Sequence, residues 1–127
     1  MGKRWRNVTT PEAHYAYLKA RDRLMTHVLQ VMADHRLDAI VHKGVEHQPT
    51  LIEDGVNPPY VDQKGAPFLN THLVFVPSVV VPSGFTVDNL PTGITFQGRP
   101  YDDVNMIRFA YAYEQATLHR RPPTTTP

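Results

Sequence analysis

Apolar positions recur at helical spacing in two stretches of this chain and alternate or cluster at strand spacing in three shorter ones. In the first stretch Leu18, Met25, Val28, Leu29 and Met32 form one stripe, while Lys19, Arg21, Asp22 and Arg23 fall mostly off it. Thr9 is placed to cap this helix, Pro11 suits its first turn, and Glu12 stands three residues after Thr9 as in a capping box. The pattern predicts a long helix ending at about Asp34-His35. Leu37 to His42 reads as a short buried strand. Val79-Val80-Val81 reads as a strand ending in a turn at Pro82-Ser83-Gly84, and Ile94 to Gln97 as a strand bounded by Gly93 and Gly98. A second helix follows, capped by Asp102 or Asp103 and ending near Thr117-Leu118. Val104, Ile107, Ala110, Tyr111 and Glu114 lie along one side, and Met106, Phe109 and Tyr113 widen the apolar face.

Between these elements, Lys43 to Gly65 carries loop chemistry in Gly44, Pro49, Gly55, Pro58, Pro59 and Gly65, an unusual length of loop in so small a domain. Ala66 to Val76 reads as helix turning to extended chain. Arg120 to Pro127 is a Pro/Thr tail without packing signal. No repeat or low-complexity segment precedes it. The reading divides the chain into a basic extension at 1–10, a folded segment at 11–118 and a flexible tail at 119–127.

Composition narrows the class. The 127 residues allow one modest domain with a real core, and 41% hydrophobic against 20% charged residues fits a soluble globular α/β protein. With no cysteine there is no disulfide, thiolate site or cysteine nucleophile. The longest apolar run, Leu73 to Val81, is interrupted by Pro77 and too short to span a bilayer. Net charge is +1, with basic residues concentrated before Gly44 and acidic ones between Gly44 and Glu114. The basic residues spread along a helix rather than form an aromatic-studded patch, which argues against a nucleic-acid partner. The basic start is followed by no apolar stretch, and Arg6 replaces the Ser or Thr of a myristoylation signal, so the expected compartment is the cytoplasm. Asn7-Val8-Thr9 is a glycosylation triplet by pattern alone.

No complete catalytic set emerges. His35, His42 and His47 are the closest histidines but lack zinc-helix spacing, and no metal or cofactor is expected. Ser78 and Ser83 sit in no nucleophile elbow and have no lysine three residues on; Ser78 reads as a small packed residue and Ser83 as part of a turn. Asp102-Asp103 reads as helix capping. Tyr101, Tyr111 and Tyr113 read as core and edge residues.

Three segments taken together resemble a known family. Leu90-Pro91-Thr92-Gly93-Ile94-Thr95-Phe96-Gln97-Gly98-Arg99-Pro100, continuing through Asp102-Asp103 to Phe109-Ala110-Tyr111-Ala112-Tyr113-Glu114-Gln115-Ala116-Thr117, resembles the carboxy-terminal strand and helix of amidase-signature enzymes. Pro77-Ser78-Val79-Val80-Val81-Pro82-Ser83-Gly84-Phe85 is similar to the family's preceding strand, and Asp38-Ala39-Ile40-Val41 to an earlier one. Order and spacing agree across about residues 17–123. The resemblance implies the carboxy-terminal part of a layered α/β/α fold with a mixed sheet. Two positions depart from the pattern. His42-Lys43 stands where relatives have Pro-Thr, and Phe75 stands where they have glycine. Both places face the ligand side in relatives and so bear on substrate choice.

The family cleaves or transfers amides with a Ser-Ser-Lys triad in an upstream Gly/Ser-rich core. No Gly-Gly-Ser-Ser stretch occurs here, and Lys43 and Lys64 match no catalytic position and read as solvated, so no catalytic residue carries over and substrate-binding residues are not assigned. The expectation is a scaffold and pocket segment, inactive alone, that self-associates or binds the missing upstream segment. A small amide would be substrate only in the complete enzyme. The alternatives are a non-catalytic interaction or remnant module, and an independent hydrolase using His and Asp.

Overall fold

The computed structural model describes residues 10–45, 48–59 and 75–123. Expectations falling on Asn7-Val8-Thr9, His47, Lys64, 66–74 and 124–127 lie outside the described residues.

Helix α1 (Pro11–Asp34) begins one residue later than the capping pattern predicts. Thr10 is the cap, its hydroxyl accepting from the Ala13 amide at 3.2 Å, and Pro11 opens the helix. That shift puts Glu12 one position too early to return a bond to the cap, so no capping box forms. The helix closes with Arg36 in the left-handed region (φ 53°). Its amide donates to the Ala33 carbonyl and the Leu37 amide to the Met32 carbonyl, the paired bonds of a Schellman ending. The predicted stripe is the inner face: Met32 is fully buried, and Leu18, Met25, Val28 and Leu29 are half-buried.

Strands β1 (Ile40–Lys43), β2 (Ser78–Phe85) and β3 (Pro91–Gln97) form one sheet in the order β1-β3-β2, antiparallel throughout. Strand β1 starts three residues later than expected because Leu37 is spent on the helix ending. The Leu37 carbonyl accepts from Arg99 Nη2 at 2.7 Å, fastening this corner to the chain after β3. At the sheet's edge, β1 alternates half-buried and exposed positions and is not fully buried. The loop expected between Lys43 and Gly65 contains a short exposed helix, α2 (Ile52–Val56).

Strand β2 runs through the turn expected at Pro82-Ser83-Gly84. A bulge between Pro82 and Gly84 absorbs Ser83, with Gly84 at φ 123°. Pro82 is tolerated because β2 is an outer strand of this sheet and needs no amide on its open side. The chain reverses instead at Thr86–Asn89, where the Thr86 hydroxyl accepts from the Leu90 amide at 3.1 Å and Asn89 adopts φ 64°. Gly93 lies inside β3 and not at its boundary. A Cβ there would stand 2.8 Å from Val80 Cγ1, so the cross-strand fit requires a residue without a side chain.

Helix α3 (Asp103–Thr117) packs on the sheet face formed by Val79, Val81, Ile94 and Phe96. Asp102 is the cap residue, but its carboxylate accepts from Asn105 Nδ2 at 2.6 Å rather than from a backbone amide. Met106 and Ala110 are buried, and Phe109 and Tyr113 are half-buried against Phe96, with ring centroids 6.5 and 5.9 Å away. Only part of the predicted apolar face turns inward: Val104, Ile107 and Tyr111 are each at least 60% exposed. Phe96 sets the choice, since edge-to-face packing with Tyr113 fixes which side of α3 turns inward. Past α3, the Arg121 guanidinium lies 3.6 Å from the Phe85 ring centroid and donates to Asn89, so the start of the tail lies against the β2–β3 hairpin.

Candidate functional site

The two positions that break the family pattern, Phe75 and Lys43, each line a separate hollow. The larger, of about 540 Å3, lies between α1, the approach to β2 and the start of α3. Arg21 and Met25 come from α1, Phe75 and Pro77 from the β2 approach, and Tyr101 and Asp103 from the other side.

Phe75 adopts φ 46° and Tyr101 φ 66°, both in the left-handed region where a side chain costs about 1–2 kcal/mol. A resident glycine would meet that requirement at position 75 without strain; phenylalanine meets it with strain and leaves 66% of its surface exposed at the cleft. The Arg21 guanidinium holds the ring, 4.3 Å from its centroid, and Arg21 Nη2 stands 3.6 Å from Asp22 Oδ1. The cleft therefore presents strained aromatic side chains, one guanidinium and carboxylates. Among the described residues none that lines it is a serine, lysine or histidine, so it can bind and orient but offers no serine–lysine chemistry.

The sequence candidates are dispersed. Ser78 is exposed at the start of β2, which corrects its reading as a packed small residue. Ser83, in the bulge and not in a turn, shares a hydrogen bond of 3.0 Å with Thr92 Oγ1. His35 is exposed at the end of α1. His42 donates from Nδ1 to the Lys43 carbonyl at 2.7 Å, and its Nε2 is buried without a hydrogen-bond partner among the described residues. Among the described residues no three His, Cys, Asp or Glu side chains group to hold a metal ion. No described helix is long and apolar enough to cross a membrane.

The smaller hollow, about 310 Å3, lies on the hairpin side of the sheet, and sequence reasoning missed it. Lys43, which reads from the sequence as simply solvated, lines this hollow with Ser83, Thr86 and Thr92. The one sequence signal pointing there is the departure at His42-Lys43.

No family profile matches the chain. Its curated relatives include a glutamyl-tRNA(Gln) amidotransferase subunit from Thermodesulfovibrio yellowstonii, 39% identical over 49 residues, covering 39% of this chain and 10% of that protein. The corresponding protein from Methanosarcina acetivorans is 46% identical over 54 residues, covering 41% of this chain and 11% of that protein. Among solved structures, the native peptide amidase of Stenotrophomonas maltophilia superposes with a TM-score of 0.68 at 32% identity, over 92% of this chain and 22% of that one. A structure described as PAM12A superposes with a TM-score of 0.70 at 32% identity, over 93% of this chain and 23% of that one. The chain thus spans about a tenth of the length of the curated relatives and under a quarter of the solved ones.

Three helices and an antiparallel sheet that superpose almost entirely on under a quarter of a peptide amidase define part of an α/β fold like that of the amidases. In sequence and in fold the chain is similar to a carboxy-terminal segment of amidase-signature enzymes.

Proposed function

We propose that residues 11–118 form the scaffold and one substrate-pocket wall of an amidase-signature amidohydrolase. In that enzyme water cleaves an amide C–N bond to a carboxylic acid and an amine, and the Ser-Ser-Lys triad comes from residues outside this segment. The observation that carries the reading is the superposition on peptide amidase over 92% of the chain at 32% identity. The cleft at Phe75 and Tyr101, which binds without offering a nucleophile, is consistent with a wall rather than a catalytic centre. The partner of this segment is the amidase core that carries the triad, and the compartment is the cytoplasm. One observation favours the second reading, a non-catalytic remnant module: Phe75 fills a ligand-side position with a strained ring.

The purified chain is expected to give no hydrolysis of a simple aryl amide above buffer, and to release product only when joined to, or mixed with, a triad-bearing amidase core. Turnover by the chain alone that is lost in Ser78→Ala or Ser83→Ala would overturn the reading. A chain that leaves every such core inactive would favour the remnant module.

A further inference from the structure

We propose that the hollow between β1 and the β2–β3 hairpin binds a small apolar carboxylate, gripped by Lys43 and the Ser83–Thr92 hydroxyl pair. The inference stands on the hollow itself and does not depend on the amidase reading.

The described lining residues carry one cation and no acid. Asp88, the nearest acidic neighbour in the hairpin, is not among them, and its carboxylate accepts from Gln48 Nε2 at 3.2 Å. Among the described residues Lys43 has no carboxylate within ion-pair distance, the single such pair being Arg21–Asp22. The backbone beneath the lysine is held: the Lys43 carbonyl accepts from His42, and the Gly44 amide donates to the Gly93 carbonyl at 2.7 Å. The charge therefore projects from a fixed root at the end of a paired strand.

The hydroxyls complete the grip by proton counting. Each hydroxyl has one proton to donate. The 3.0 Å bond between Ser83 and Thr92 uses one of their two, whichever side gives it, and leaves one O–H for a ligand. Thr86 accepts from the Leu90 amide, so its own proton is also free to donate. An ammonium and two uncommitted O–H donors match a carboxylate, which only accepts. The remaining walls come from the Gln48 side chain and the apolar surfaces of Val45, Pro49, Leu90 and Pro91, and a hollow of about 310 Å3 has room for a phenyl-sized group beside the charge. A neutral amide can also hydrogen-bond to these hydroxyls, but it carries no negative charge for the Lys43 ammonium to meet.

The test is equilibrium dialysis of the 127-residue chain against radiolabelled 3-phenylpropanoate, with 3-phenylpropanamide as the neutral analogue; dialysis reads bound ligand whatever the association state. Saturable binding of the acid with a Kd at or below about 1 mM is expected, with the amide at least about fivefold weaker. Lys43→Met should weaken the acid by about fivefold to tenfold, and Lys19→Met, on the solvent side of α1, should leave it unchanged. Ser83→Ala should cost less than Lys43→Met, because Thr92 keeps its hydroxyl. The proposal is overturned if acid and amide bind equally, if Lys43→Met binds the acid as the parent does, or if no saturable binding of the acid is found. The acid–amide comparison uses the unmodified chain and so does not depend on any variant folding.

Discussion

The Arg21 guanidinium lies 4.3 Å from the centroid of the Phe75 ring, and Phe75 holds that position with a left-handed backbone. The stack joins α1 to the approach of β2 across the larger cleft. It offsets only part of the strain: the ring gains about 0.5–1 kcal/mol from the cation at an exposed site, against a backbone cost of about 1–2 kcal/mol.

Position 75 should therefore invert the usual preference for alanine over glycine. Phe75→Gly is expected to be more stable than Phe75→Ala by about 1 kcal/mol, since both lose the stack and only glycine loses the strain. Urea unfolding of the two variants side by side measures it. Equal stability, or a more stable alanine variant, would show that the backbone at 75 is not left-handed.

Helix α3 has two apolar sides, and their energetic weights should differ sharply. Met106 is fully buried, so Met106→Ala should cost about 2–5 kcal/mol, whereas Val104→Ala on the exposed side should cost less than about 0.5 kcal/mol. Gly98→Ala probes the same buried point from the chain after β3. Its new methyl would stand 2.9 Å from Met106 Sδ and should cost about 1–3 kcal/mol by overpacking. Gly55, with nothing within 4 Å of a built Cβ, should accept alanine without loss. Thermal unfolding followed by circular dichroism gives the ranking.

The exposed side of α3 is the expected contact with a second copy or with the amidase core. Val104, Ile107 and Tyr111 form an apolar stripe along it. Sedimentation velocity should show the chain self-associating when no core is present, and Ile107→Asp should shift it towards monomer while helix content stays unchanged. A parent chain that sediments as a sharp monomer and unfolds cooperatively would remove this role from the stripe.

What the sequence revealed and what it hid divide along local and non-local causes. The extents of α1 and α3 were readable because period, caps and breakers are local. Which side of α3 turns inward was not, because Val104, Ile107 and Tyr111 are as apolar as Met106, Phe109 and Tyr113. The decision rests with Phe96, on a different element. Pro82-Ser83-Gly84 has turn composition, yet an outer strand with a bulge accommodates it, and only the register with β3 shows this. The family motif flagged Phe75 and Lys43 as departures. It did not show that one is strained and stacked, or that the other borders a hollow, because Arg21, Ser83 and Thr92 come together only through the fold.

The most direct measurement of the central claim is a graft. Residues 11–118 replace the matching segment of the Stenotrophomonas maltophilia peptide amidase, and hydrolysis of a peptide amide is followed by ammonia release. The account predicts that the graft folds and hydrolyses the amide while the isolated chain releases nothing. A graft that unfolds cooperatively yet releases no ammonia, or an isolated chain that does, would contradict it.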